Sequence, residues 1–112
     1  MFTCLAKNIT TLTALLLFAV SVQTVASEAV WIDVRTPEEF KAGHRDGAHN
    51  IPYEQIGQRI SELKLDKDSK IYLYCRSGRR SGIATSTLKS LGFTAVKNIG
   101  GLNDALEYQT PE

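Results

Sequence analysis

The sequence predicts a single α/β domain in which a mostly parallel sheet is covered by helices on both faces. Short apolar runs alternate with segments of helical periodicity from residue 29 to residue 106, which is the pattern of β-α-β units. The first run, Ala29–Val34, is interrupted by a single aspartate, as is typical of a strand buried on both faces. A length of 112 residues leaves room for one domain.

Residues 1–26 are predicted to be a cleaved export signal. Lys7 is their only charged residue, the stretch Leu12–Val22 is mostly apolar, and small residues end the segment at Ala26; these are the parts of a signal peptide. An uncleaved anchor is the alternative, but an anchor needs about 20 mostly apolar residues, and threonines and serine dilute this stretch. We therefore expect a periplasmic protein whose residues 27–112 form the domain, with no stable membrane association after cleavage.

The composition of the remaining chain excludes several classes of protein. Without the leader it has 86 residues, with 12 basic and 12 acidic side chains and a single cysteine, Cys75. Such balance does not suit a nucleic-acid binder, which shows a basic excess, and one cysteine rules out a disulfide-stapled fold. An unpaired cysteine in an exported protein indicates either a reactive thiol or an intermolecular bond.

The first half of the domain contains two predicted strands and a short helix. After Ala29–Val34, a capping box begins the helix, with Thr36 as N-cap, Pro37 at the first position and Glu39 at the third. Gly43 ends that helix. Ala48–Ile51 is the second strand.

A second predicted helix and a third strand follow. Glu54–Leu63 is predicted to be one amphipathic helix, because its apolar residues recur at helical spacing. These residues are Ile56, Ile60 and Leu63. Lys70–Tyr74 is rich in β-formers and is predicted to be the third strand.

The second half repeats the alternation. After the loop 75–80, apolar residues again follow helical spacing up to Gly92, which is placed to end the helix. They are Ile83, Ala84, Thr87, Leu88 and Leu91. Thr94–Ile99 is the fourth predicted strand, Gly100 and Gly101 form a turn, and Leu102 begins a weak last helix.

The segment CRSGRRSG, residues 75–82, is the candidate active site, because it joins a buried strand to a helix. Ligands of open α/β sheets bind at this carboxyl edge. The helix N-terminus and the cationic side chains lower a thiol pKa, and Gly78 lets the loop turn its amides inward. The cationic side chains are Arg76, Arg79 and Arg80. A lone cysteine is often just a small buried hydrophobe, but this combination indicates a nucleophilic Cys75 in an anion pocket.

Two other anion-binding loops are disfavoured. A P-loop needs a Gly-Lys pair, which residues 27–112 lack. A phosphatase or arsenate-reductase loop needs His-Cys-x₅-Arg, whereas Tyr74 precedes Cys75, Ser81 stands at the arginine position and Arg80 comes one residue early.

The loop CRSGRRSG resembles the active-site loop of single-domain rhodaneses, the thiosulfate sulfurtransferases. Other segments agree with the signatures of that family: Asp33–Arg35, Glu39–Phe40, Gly43–His44, Gly47–Ala48, Asn50–Pro52 and Asn98–Gly101. The resemblance covers residues 30–106, and the leader makes the chain most similar to exported, phage-shock-type members. Arg45 departs from the usual aliphatic residue and Ala105 from a frequent tryptophan.

The resemblance implies a small three-layer rhodanese-like domain that catalyses a two-step sulfur transfer. The Cys75 thiolate takes the outer sulfur of thiosulfate, releases sulfite, and passes the sulfur from a persulfide to cyanide or a thiol. The loop 76–81 binds the substrate anion and the persulfide, with Arg76 and Arg80 as the best candidates for the sulfonate end. Its residues are Arg76, Ser77, Gly78, Arg79, Arg80 and Ser81.

The remaining polar residues are assigned structural roles. Asp33 and Arg35 are expected to pair and to support the loop rather than to react. His44 and His49 lie too far apart for a common metal spacing, so we expect neither a metal nor another cofactor. The open alternative is a persulfide carrier that serves a protein partner. We expect a monomer or a weak dimer.

Overall fold

A computed structural model describes residues 28–109 of the protein. The predicted export signal, residues 1–26, lies outside the described residues, so the signal and its cleavage point stay predictions. Within the described residues, no helix is long and apolar enough to cross a membrane.

Four parallel strands form the sheet, in the order β2-β1-β3-β4. They are β1 (Val30–Asp33), β2 (His49–Asn50), β3 (Lys70–Tyr74) and β4 (Ala95–Gly100). Each parallel pair needs a crossover connection, and the helices between the strands supply these crossovers. The predicted α/β class and strand number are confirmed.

In the described part of the chain, four α-helices connect and cover the strands. They are α1 (Pro37–Ala42), α2 (Ile56–Arg59), α3 (Arg79–Ser90) and α4 (Leu102–Glu107). The predicted capping box of α1 is present: the Thr36 side chain accepts from the Glu39 amide at 3.2 Å, and the Glu39 carboxylate accepts from the Thr36 amide at 3.0 Å. Gly43 is the C-cap, as predicted.

The single helix predicted for Glu54–Leu63 is wrong. The chain forms a 3₁₀ turn at Tyr53–Gln55, then the one-turn α2, then a second 3₁₀ turn at Ile60–Leu63. No side chain caps any of the three pieces, and a helix this short has little stability of its own. Burial of Ile56 and Ile60 therefore decides the backbone path.

The apolar face predicted for α3 is too wide. Ala84 and Leu88 are buried, but Ile83 is 43% exposed and Leu91 is 41% exposed. The helix also begins at Arg79, so the last two arginines of the predicted loop lie in its first turn.

The core has a layer on each face of the sheet, which confirms the three-layer prediction. On one face, α2 and α3 pack on the aliphatic strand residues, which include Ile32, Ile71 and Leu73. On the other face, Trp31 and Tyr74 pack with Ala105 of α4.

The two departures from the family pattern lie together on the aromatic face. The guanidinium of Arg45 lies 3.9 Å from the centre of the Trp31 ring, a cation–π arrangement. The same guanidinium donates to the carbonyl oxygens of Ala105 and Tyr108. Arg45 thereby joins the end of α4 to the sheet.

Candidate active site

The ends of three strands place the candidate site at the carboxyl edge of the sheet. Cys75 directly follows β3, and its amide donates to the carbonyl of Gly100, the last residue of β4, at 3.0 Å. Asp33 ends the neighbouring β1. The loop that carries the cysteine is thus fastened to β4 at its first residue.

Two glycines allow the loop to lie against the turn between β4 and α4. Gly78 has a φ of +98°, and a Cβ there would lie 3.3 Å from the Gly100 Cα. A Cβ on Gly101 would lie 2.5 Å from the carbonyl oxygen of Arg76. The left-handed backbone and the close approach both require glycine, and together they keep the loop tightly curled.

The thiol of Cys75 is buried and held by hydrogen-bond donors. Its exposed fraction is 1%, and its Sγ accepts from the Gly78 amide at 3.0 Å and lies 3.5 Å from the Ser81 hydroxyl oxygen. Burial alone would raise the pKa of Cys75, but the Ser81 hydroxyl and the amides of Ser81, Ser77 and Gly78 lower it to about 7. The thiol is therefore partly ionised at neutral pH, more so than an ordinary cysteine.

These donors, rather than the arginine charges that the sequence suggested, are the strongest influences that lower the pKa. Arg80 interacts with Cys75, but it pairs with the Glu39 carboxylate, Nη1 to Oε1 at 2.8 Å and Nη2 to Oε2 at 3.0 Å. Its charge is thereby largely compensated.

Asn98 holds the loop from β4, a role that sequence reasoning missed. Its Oδ1 accepts from the Gly100 amide at 3.0 Å and from the Ser81 hydroxyl at 2.6 Å, while its Nδ2 donates to the Gly78 carbonyl at 2.9 Å. The side chain therefore fixes the positions of Gly78, whose amide donates to the sulfur, and of the Ser81 hydroxyl beside it. The only sequence signal was its place in the segment Asn98–Gly101.

The predicted anion-binding residues take different positions. Arg76 is exposed and lines a cleft of about 370 Å³ beside the loop. The other lining residues are Arg35, Glu39, Ala42, Leu102 and Asn103. Arg79 and Ser77 are exposed, and Ser77 acts on Cys75 through its amide.

Asp33 and Arg35 form a buried ion pair, Nη2 to Oδ2 at 2.6 Å. Arg35 also donates to the Gly43 carbonyl at 2.7 Å, and its guanidinium lies 5.7 Å from the ring centre of Tyr74. The hydrogen bond to Asp33 raises the pKa of Arg35. The pair fastens β1 to the end of α1, and Arg35 also contacts Tyr74, the residue before Cys75.

Within residues 28–109, no group of three or more His, Cys, Asp and Glu side chains is placed to hold a metal ion. His44 instead stacks on Phe40, with ring centres 3.6 Å apart.

Substitution of Ser81 by alanine is expected to raise the pKa of Cys75 above about 7, because the hydroxyl that lies 3.5 Å from the sulfur and lowers this pKa is lost. A higher pKa leaves less thiolate, so alkylation by iodoacetamide at pH 7 should slow by about threefold. The rate measured against pH gives the inflection. Ser77→Ala is the matched control, because that residue acts through its amide; an unshifted inflection in Ser81→Ala contradicts the assignment.

Comparison with known proteins identifies the family. Residues 21–107 match the family model described as Rhodanese-like domain. The chain is 45% identical over 74 residues to the thiosulfate sulfurtransferase PspE of Escherichia coli, covering 66% of this chain and 71% of that one. It is 40% identical over 68 residues to the putative sulfur carrier protein YrkF of Bacillus subtilis, covering 61% of this chain and 36% of that longer protein.

A solved structure gives the same result. The structure titled "rhodanese with anions from E. coli" superposes with a TM-score of 0.66 at 43% identity, covering 69% of this chain and 91% of that one. The resemblance expected from the loop and strand motifs is confirmed. The chain belongs to the rhodanese-like domain family.

Proposed function

We propose that the protein is a thiosulfate sulfurtransferase that carries sulfur on Cys75. Family membership supports sulfur transfer in general. The observation that carries the specific proposal is the buried Cys75 sulfur, which accepts a hydrogen bond from the Gly78 amide, lies 3.5 Å from the Ser81 hydroxyl and has a pKa of about 7. Such a thiol is nucleophilic at neutral pH.

In the first step, the Cys75 thiolate attacks the outer sulfur of thiosulfate. A new S–S bond forms, the S–S bond of thiosulfate breaks, and its electron pair leaves with sulfite. Because sulfite is a stable anion, the step needs no general acid. The loop amides of residues 76–81 hold the resulting persulfide by the preorganised-dipole effect of an oxyanion hole.

In the second step, cyanide or a thiolate attacks the outer sulfur of the persulfide. The bond between the two sulfurs breaks, and its electron pair returns to Cys75. The donors that lower the pKa of Cys75 also make it a good leaving group. The same hydrogen bonds therefore serve both halves of the cycle.

Arg76 is the best-placed residue to bind the sulfonate end of thiosulfate. It is exposed in the cleft beside the loop, whereas the guanidinium of Arg80 is already engaged by Glu39. Arg76→Ala should therefore raise KM for thiosulfate by about tenfold with a smaller change in kcat. The exposed Arg79, replaced by alanine, is the control and should stay within about twofold. Equal effects of the two substitutions would contradict a specific sulfonate contact.

The function is tested by following sulfite and thiocyanate formation from thiosulfate and cyanide by the purified protein. We expect catalytic turnover with one thiocyanate formed per sulfite released. Turnover with 3-mercaptopyruvate but not with thiosulfate would reassign the donor. No turnover with either would contradict the proposed enzyme.

A persulfide carrier for a protein partner is the second candidate, favoured by the likeness to the putative sulfur carrier protein of Bacillus subtilis. Mass spectrometry separates the two. A stable gain of one sulfur atom on Cys75, with negligible turnover of small acceptors, supports carriage.

We also propose that residues 1–26 direct export to the periplasm and are removed. The support is their single charge and apolar stretch. The intact mass of the protein recovered from a periplasmic extract should lack these residues. A full-length mass in the membrane fraction would indicate an uncleaved anchor.

A further inference from the structure

Two of the three charged residues that line the cleft beside the active loop are compensated by ion pairs. Arg35 pairs with Asp33 at 2.6 Å and Glu39 pairs with Arg80 at 2.8 Å. Of the three charged lining residues, Arg76 alone forms no ion pair with a described residue. The cleft therefore presents one uncompensated positive charge.

The Glu39–Arg80 pair joins a residue that lines the cleft to the first turn of α3, which directly follows the active loop. Both carboxylate oxygens meet the guanidinium, at 2.8 and 3.0 Å, and the two side chains are 27% and 22% exposed. The pKa of Arg80 is raised chiefly by Glu39 and also by Cys75. Arg80 is thus close enough to interact with the thiolate, yet its charge is opposed by a carboxylate in direct contact.

Glu39 is held in place independently of Arg80. Its carboxylate accepts from the Thr36 amide at 3.0 Å, within the capping box that begins α1. The hydrogen bond from Arg80 lowers the pKa of Glu39 to about 2. The carboxylate therefore stays ionised throughout the neutral range and acts as a fixed negative charge.

We propose that Glu39 sets the charge selectivity of the active site. By neutralising Arg80, it leaves Arg76 as the main attraction for anions and so weakens binding of doubly charged reactants and products relative to singly charged and neutral ones. A unit charge acts on a dianion with twice the energy that it has on a monoanion at the same distance. The identification of sulfite as a doubly charged product rests on the proposed function. The effect of the Glu39 charge on the potential at Cys75 does not depend on that function.

Alkylation of Cys75 measures this charge without turnover. Iodoacetate is an anion and iodoacetamide is neutral. The rate of Cys75 alkylation by iodoacetate divided by the rate by iodoacetamide therefore reports the local electrostatic potential. Mass spectrometry of the tryptic peptide that carries Cys75 gives both rates at low salt. Glu39→Gln should raise the ratio by about threefold or more, and glutamine can keep the capping box.

Three further variants make the test decisive. Glu38→Gln removes the same charge from an exposed neighbour in α1 and should leave the ratio within about 1.5-fold. Glu39→Asp keeps the charge and should match the wild type. Arg80→Gln leaves Glu39 unopposed and should lower the ratio by about threefold, which keeps the inference testable even where Glu39→Gln does not fold.

An unchanged or lower ratio in Glu39→Gln would overturn the inference, as would an equal rise in Glu38→Gln or in Glu39→Asp. The last result would show that Glu39 acts through the position of Arg80. Failure of the proposed function appears separately, as absence of sulfite release from thiosulfate, while the alkylation ratio remains measurable. Where sulfite release is present, KM for thiosulfate should fall in Glu39→Gln.

Discussion

Replacement of Cys75 by serine is expected to reduce sulfur transfer from thiosulfate by about 10³-fold or more, because a hydroxyl is not ionised at neutral pH and forms no persulfide. The measurement is sulfite release in the absence of an acceptor. The native protein should release one sulfite per chain in a single burst, and Cys75→Ser should release none.

Serine is a suitable replacement because it keeps an acceptor for the hydrogen bond from the Gly78 amide. Thermal unfolding checks that the variant folds. A burst of sulfite from folded Cys75→Ser would place the reactive sulfur elsewhere and would end the proposed mechanism.

Substitution of Gly101 by alanine is expected to lower the free energy of unfolding by about 2–4 kcal/mol. The added Cβ would lie 2.5 Å from the Arg76 carbonyl oxygen, and this neighbour is backbone that cannot rotate away. Either α4 or the active loop must shift. Chemical denaturation gives the loss of stability, and the alkylation rate of Cys75 should fall as the loop donors move from its sulfur.

Gly57→Ala is the matched control. It adds the same methyl group to the exposed side of α2, where the nearest atom is a side-chain methyl of Thr87 at 3.3 Å. Its stability should stay within about 1 kcal/mol of the native protein, since alanine favours helix. Unchanged stability and alkylation in Gly101→Ala would show that the loop moves freely.

Local signals predicted much of the fold. The capping box of α1 is an arrangement of four consecutive residues, so Thr36 and Glu39 carry it without help from the rest of the chain. The strand Lys70–Tyr74 has the predicted bounds, because its β-forming residues also pack on both faces of the sheet.

Features decided by tertiary contacts were not predicted. The path of residues 54–63 depends on where Ile56 and Ile60 meet α3 and the sheet, not on the spacing between them. For the same reason Ile83 has an apolar side chain at helical spacing but remains exposed. The sequence of a helix does not show how much of its apolar face the sheet will cover.

The candidate site was likewise predicted where it depends on residues close in sequence and missed where it depends on distant ones. Cys75 and Gly78 were found because loop, strand end and helix start are neighbours in sequence. Asn98 and Glu39 were missed as partners of the loop because the first is 17 residues from Ser81 and the second is 41 residues from Arg80. Only the strand order brings them together.

The same strand order ties the chemistry of the thiol to the completion of folding. β3 lies between β1 and β4, and the contacts that fasten and orient the loop come from Asn98 and Gly100, at the end of the last strand. A growing or unfolded chain that lacks this strand carries an ordinary cysteine, mostly protonated at neutral pH. The arrangement of donors around the thiol is therefore complete only once β4 has paired with β3.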